Sequence, residues 1–237
     1  MQLNAKKKSI KLIETVFDLL YLGTVLISAV LLCLGAERGS PRGQFGLMAL
    51  ILVIGDGFHL IPRIYAMWDR KAKPYTALLG VGKLIASVTM TVFYVILWDV
   101  GAKRYAEIVP SQMTGVVFAL AALRIVLCLL PQNRWTSENP PLKWAIWRNV
   151  PFFGLGMLVM ALFARDSLAG GGEFSYLWLA VLLSFVCYLP VVLFAGRNPK
   201  LGMLMLPKSC AYVAIVLLGF SLPGARSRNF TLFSVGV

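Results

Sequence analysis

The chain has 237 residues, 59% of them hydrophobic and 14% charged, with a formal net charge of +13 and a mean hydropathy of +0.77. Soluble domains usually carry about a quarter charged residues, and disorder needs low hydrophobicity together with high net charge, so both classes are excluded. The surplus of 23 Lys and Arg over 10 Asp and Glu does not indicate a nucleic-acid partner either. The apolar residues fall in runs of roughly twenty, the length a helix needs to cross a bilayer.

A basic segment, residues 1–11, leads into the first run, Leu12–Gly35. That run is too long for a signal-peptide core and carries Glu14 and Asp18, so it reads as a span rather than a cleaved leader. Six further runs follow: Phe45–Ala66, Thr76–Trp98, Met113–Leu130, Leu142–Ala164, Ser175–Ala195 and Leu204–Leu222. The fifth contains Trp147-Arg148-Asn149 and Pro151, so it either enters from an interfacial segment or kinks at the proline. Lipid offers no partner to an unpaired backbone amide, so the spans are helices. The expectation is an all-α polytopic bundle over residues 12–222, with about seven spans and eight as the alternative count, and a short tail at 223–237.

Orientation follows from Lys and Arg in the loops. The side of the N-terminus holds Lys6, Lys7, Lys8, Lys11, Arg70, Lys71, Lys73, Arg134, Lys143, Arg197 and Lys200. The other side holds Arg38, Arg42, Lys103, Arg104, Arg165, Arg226 and Arg228. The bias predicts a cytoplasmic N-terminus in the cell membrane and a C-terminus outside, with the Lys6–Lys8 run against anionic lipid. Cys33, Cys128, Cys187 and Cys210 lie in apolar runs without CxxC spacing and read as small buried hydrophobes. With one histidine in the chain, no metal site is expected.

Nine ionisable residues fall within the spans: Glu14, Asp18, Asp56, His59, Arg63, Lys83, Arg124, Arg148 and Lys208. Such groups are costly in lipid and face a bundle interior or a wet cavity. Counted along alternating spans, all nine lie at the midplane or in the leaflet of the N-terminal side. Glu14, Arg63, Arg148 and Lys208 are near enough to the interface to serve equally as snorkelling anchors. Asp18 and Asp56 are too short to snorkel, and Lys83 and Arg124 lie too deep, although structural ion pairs could also account for them. Asp56, His59 and Arg63 share a helix face at i, i+3 and i+7, and Glu14 and Asp18 do so at i and i+4. Three acids against five cations leave a positive excess, which predicts an anionic ligand. A phosphate-bearing amphiphile fits, held by Arg63, Lys83, Arg124, Arg148 and Lys208. Serines occur without a nucleophile turn, so the chemistry the set permits is acid–base, with Asp56 as general acid and His59 or Asp18 as its partner. No cofactor is required.

The second and third spans resemble a known family. Gly55-Asp56-Gly57-Phe58-His59-Leu60, followed by Ile61-Pro62-Arg63, is similar to the GDxxxL stretch of the YhhN family of membrane lysoplasmalogenases. Gly82-Lys83-Leu84-Ile85-Ala86-Ser87, with Phe93-Tyr94 beyond, is similar to that family's Gly-xxxx-Ser segment and later aromatic pair. The likeness covers about residues 45–98. It implies a polytopic bundle, usually of eight spans, that hydrolyses the vinyl-ether bond of a lysolipid, with Asp56 as a catalytic carboxylate. This chain differs from the family pattern in its span count, in Val88 where histidine is usual, and in Tyr188-Leu189-Pro190 where an acid is expected. The alternative expectation is a non-enzymatic transporter or binder of an anionic lipid or metabolite. The oligomeric state has no signature in the sequence.

Overall fold

A helix in lipid satisfies its own backbone, and the computed structural model consists of such helices joined by short connections. It describes residues 2–37, 39–69, 75–107, 109–168, 172–194, 196 and 198–223, without the side chains of residues 2–7, 166 and 199. Seven helices are long and apolar enough to span a membrane, and no strand occurs among the described residues. They are α1 (Gln2–Leu34), α2 (Pro41–Trp68), α3 (Thr76–Arg104), α4 (Ser111–Leu129), α5 (Leu142–Leu168), α6 (Leu177–Phe194) and α7 (Met205–Leu217). Short 3₁₀ turns at Pro199–Leu204 and Leu218–Ser221 extend α7 to a full span. Of the loop charges used for orientation, Arg38, Arg70, Lys71, Lys73, Arg197, Arg226 and Arg228 lie outside the described residues. So do the side chains of Lys6 and Lys7 and the tail residues 224–237.

Several helices outrun their apolar segments. Hydropathy reports where the chain leaves lipid, whereas the backbone ladder continues until a cap ends it. Ser40 starts α2 by accepting a hydrogen bond from the Gly43 amide at 3.2 Å, with Pro41 in the first turn, the arrangement that suits a helix N-terminus. At its other end, Lys11 of α1 donates to the Met67 carbonyl at 2.7 Å, a cation on a negative helix end. The carbonyls ending α4 are closed by Asn133, whose Nδ2 reaches those of Leu127 and Leu130 at 2.6 and 2.9 Å. Trp135 Nε1 takes that of Cys128 at 2.8 Å. Helix α5 runs through Pro151 without an interfacial break.

The helices close into a ring. α1 packs on α2 and α7, α2 on α3, α3 on α5, α5 on α6 and α6 on α7, while α4 lies outside against α3 and α5. The α2–α3 contact depends on two glycines. A Cβ at Gly55 would meet Thr89 Oγ1 at 1.8 Å, and one at Gly82 would meet the Phe58 carbonyl oxygen at 2.3 Å. Pro62, four residues beyond Phe58, has no amide hydrogen to give that carbonyl, so the Gly82 backbone packs where the helix ladder is interrupted.

The outward face is apolar, with Leu20, Ile27, Phe118, Val126 and Val186 each more than half exposed. A surface of that kind suits acyl chains and would aggregate in water. Of the cysteines, Cys128 and Cys187 are buried as expected. Cys33 and Cys210 are instead exposed on this outer face.

Inside the ring, the half remote from the N-terminal side is filled. Phe45 stacks on Phe174 at 5.8 Å, Phe163 meets Phe174 edge-on at 5.5 Å, and Leu32, Leu52 and Leu97 are fully buried around them. Beyond this plug, Gln44 donates to Asp99 at 2.5 Å, and Arg42 caps the Leu222 carbonyl at 3.2 Å. The half nearer the N-terminal side carries the polar groups.

Candidate functional site

Helices α1 and α2 supply the acids. Glu14, Asp18 and Tyr21 follow one another at i, i+4 and i+7 on α1, and Asp56, His59 and Arg63 at i, i+3 and i+7 on α2. Both sets therefore turn one face inward. Glu14, Asp18, Asp56, His59 and Arg63 on one side, with Lys208 and Ser209 of α7 on the other, line a cavity of about 60 Å³, and Tyr21 stands behind Asp56. Gly202, Met203, Met205 and Leu206, at the entry to α7, form its apolar rim with Leu60. A water needs roughly 10–15 Å³ of such volume, so the space holds a few waters or one small polar group, not a lipid chain.

The Asp56 carboxylate is fixed by the Tyr21 hydroxyl, which donates to Oδ2 at 2.6 Å. Oδ1 is left for other chemistry. Asp18 is 4% exposed, and its Oδ2 is buried without a hydrogen-bond partner among the described residues, as is Nδ1 of His59. Nearer the interface, Arg63 pairs with Glu14 at 2.9 Å. Lys208 lies within electrostatic range of Asp56, yet its Nζ rests over the rings of Tyr212 and Tyr188, at 4.9 and 5.1 Å. Polar groups continue inward from there. Tyr94 and Ser184 share a hydrogen bond of 3.2 Å, and Ser184 donates to the Val181 carbonyl at 2.8 Å. The Tyr94 ring itself packs on Phe93, Phe152 and Phe185, with centroids 5.6, 5.1 and 5.7 Å away.

The cations assigned to phosphate do not converge. Arg63 and Lys208 line the cavity, but the other three lie elsewhere. Arg124 is 2% exposed and stacks on Phe152 with its guanidinium carbon 3.4 Å from the ring centroid. It donates a long hydrogen bond of 3.4 Å to Asn149 Oδ1, to which Tyr188 donates at 2.9 Å, and it also contacts the Tyr188 hydroxyl. The ring face and the amide replace the anion that the charge count demanded. Arg148 donates to Asn133 Oδ1 at 2.8 Å and covers Trp135 at 4.1 Å, so it braces the α4–α5 connection. Lys83 is exposed on α3, within electrostatic range of Arg63 and Arg148. Depth, the quantity counted in the sequence, is shared by all five. Rotation about each helix axis and the order of helices in the ring separate them.

The charge inside the cavity differs accordingly. Three carboxyls, from Glu14, Asp18 and Asp56, face one guanidinium, one amine and one imidazole, so the positive excess lies outside it. The sequence reading missed Tyr21, although its position on the Glu14–Asp18 face was available. It also gave no role to Tyr188 and Asn149: the Tyr188 ring faces Lys208, and Asn149 Oδ1 accepts from Arg124. The class this fold and site define is a multi-pass helical membrane protein with an acid–base cavity in one half of the bundle. Comparison with known proteins found no matching family model and no matching curated protein.

Proposed function

We propose that the protein is a membrane-embedded lipid hydrolase of the lysoplasmalogenase kind, which cleaves the vinyl-ether bond of a phosphate-bearing lysolipid. The observation that carries this reading is the Asp56 carboxyl, held by Tyr21 at 2.6 Å in a water-sized cavity that Asp18 and His59 share. An ion-pair role would give each of these groups a partner, and Asp18 Oδ2 and His59 Nδ1 have none among the described residues. The blocked inner half supports an enzyme open to one side over a transporter with a through path. With the N-terminus in the cytoplasm of a cell membrane, as the loop charges indicate, the cavity faces the cytoplasm.

Vinyl ethers are cleaved by protonation at the outer alkene carbon, which leaves an oxocarbenium ion at the carbon bonded to oxygen. Water adds there, and the resulting hemiacetal collapses to a fatty aldehyde and the glycerophospho alcohol. Asp56 is the proton donor in this scheme. Asp18 or His59, both with a free acceptor site, takes a proton from the attacking water. The phosphate belongs at the mouth, with Arg63 and the exposed Lys83. Arg63 follows Asp56 by seven residues, about 10 Å along the helix, a span that a glycerophosphate and a side chain can bridge. The alkenyl chain lies along the methionine rim and out into lipid, because the cavity has no room for it. Methionine suits that contact, since its unbranched thioether adapts to a flexible chain.

The test is to supply purified protein in detergent with lysoplasmalogen and measure aldehyde. Release that disappears in Asp56→Asn supports the reading. The absence of release from any ether or ester lysolipid overturns it.

A further inference from the structure

The geometry points to a second reactive group in this cavity: Lys208, as a primary amine that captures a long-chain aldehyde as an imine. Lys208 lines the cavity with Asp56, and no carboxylate among the described residues lies within ion-pair distance of its Nζ. Its neighbours are ring faces, Tyr212 at 4.9 Å and Tyr188 at 5.1 Å. The charge of buried Arg124 also reaches it. A lysine flanked by aromatic rings and a second cation, with Asp56 in electrostatic range but no carboxylate at ion-pair distance among the described residues, is placed for amine attack with a carboxyl at hand for proton transfer.

The chemistry balances with groups already present. The Nζ lone pair attacks the carbonyl carbon, the C–N bond forms, and the carbonyl electron pair takes up a proton from Asp56. Nitrogen then gives up its two protons through the same carboxyl, one to carry the hydroxyl away as water and one to restore the Asp56 acid, leaving the neutral imine. Aldehyde and amine thus yield imine and one water, with no oxidant or reductant. The aldehyde's chain follows the rim of Met203, Met205 and Leu206 out of the cavity. This goes beyond the hydrolase reading, because it concerns the amine's affinity for aldehyde whatever produces the aldehyde.

The probe is hexadecanal at limiting concentration with cyanoborohydride, which reduces any imine to a stable secondary amine. Peptide mapping then locates the adduct on the full-length protein in detergent. The expected result is at least tenfold greater modification at Lys208 than at exposed Lys103 and Lys83. Lys208→Arg, which keeps the cation and removes the amine, should abolish the preferred adduct. Equal labelling of Lys208 and Lys103 in the native protein overturns the inference, and this comparison needs no variant to fold. An adduct at Lys208 without hydrolysis of lysoplasmalogen leaves the inference standing and removes the hydrolase reading. Hydrolysis without an adduct does the reverse.

Discussion

Replacing Tyr21 by phenylalanine removes one oxygen and tests whether Asp56 is held as described. Tyr21 is 4% exposed, and its hydroxyl meets Asp56 Oδ2 at 2.6 Å. A hydrogen bond to a charged group contributes about 1.5–3 kcal/mol, and an abandoned buried acceptor adds to the loss. Here the cavity of about 60 Å³ moderates the penalty, because one water of roughly 10–15 Å³ can replace the lost hydroxyl. The expected cost is therefore near the lower end, about 1.5 kcal/mol. The same free energy, if lost from the transition state, lowers turnover about tenfold. The assay is a double-mutant cycle on unfolding in detergent, with Asp56→Ala as the second substitution. In the Asp56→Ala background, Tyr21→Phe should cost less than about 0.5 kcal/mol, leaving a coupling of about 1 kcal/mol or more. An equal cost in both backgrounds would show that the hydroxyl does not act through Asp56.

Two further substitutions probe the frame and the outlying cation. Gly82→Ala puts a methyl where the Phe58 carbonyl oxygen already sits, 2.3 Å from the ideal Cβ, so α2 and α3 must separate. The expected loss is about 1–3 kcal/mol by thermal unfolding, and an unchanged midpoint would contradict the close approach. Arg124→Met keeps much of the side chain's volume while deleting a buried cation that has no carboxylate partner among the described residues. Apolar replacement of buried charge is often neutral or stabilising. Stability should stay within about 1 kcal/mol and lysolipid turnover should be little changed. A loss of lysolipid binding in Arg124→Met would restore it to the phosphate site.

The fold was legible because seven apolar runs admit few arrangements, and the helix faces of the site were legible because α2 repeats its ionisable groups at helical spacing. Asp56, His59 and Arg63 meet Glu14 and Asp18 for that reason. Arg124 and Arg148 show the limit. A depth count along each span is one-dimensional, whereas convergence also needs the rotation of each helix and its place in the ring. α4 lies outside that ring, so the Arg124 guanidinium stops at Phe152, Asn149 and Tyr188, short of the cavity. Tyr21 was hidden for a different reason: a tyrosine within an apolar run reads as packing until a carboxylate is seen opposite its hydroxyl. The extended ends of α1 and α3 escaped because apolar runs mark the lipid boundary and not the helix boundary.

The central claim is that Asp56 protonates a lipid bond within this cavity, and aldehyde release from lysoplasmalogen by the native protein and Asp56→Asn measures it directly. General acid catalysis contributes about 10²–10⁴-fold, so release should fall by at least about a hundredfold while Asp56→Asn retains its fold. Equal release from both proteins would contradict the assignment of Asp56, and no release from either would contradict the activity.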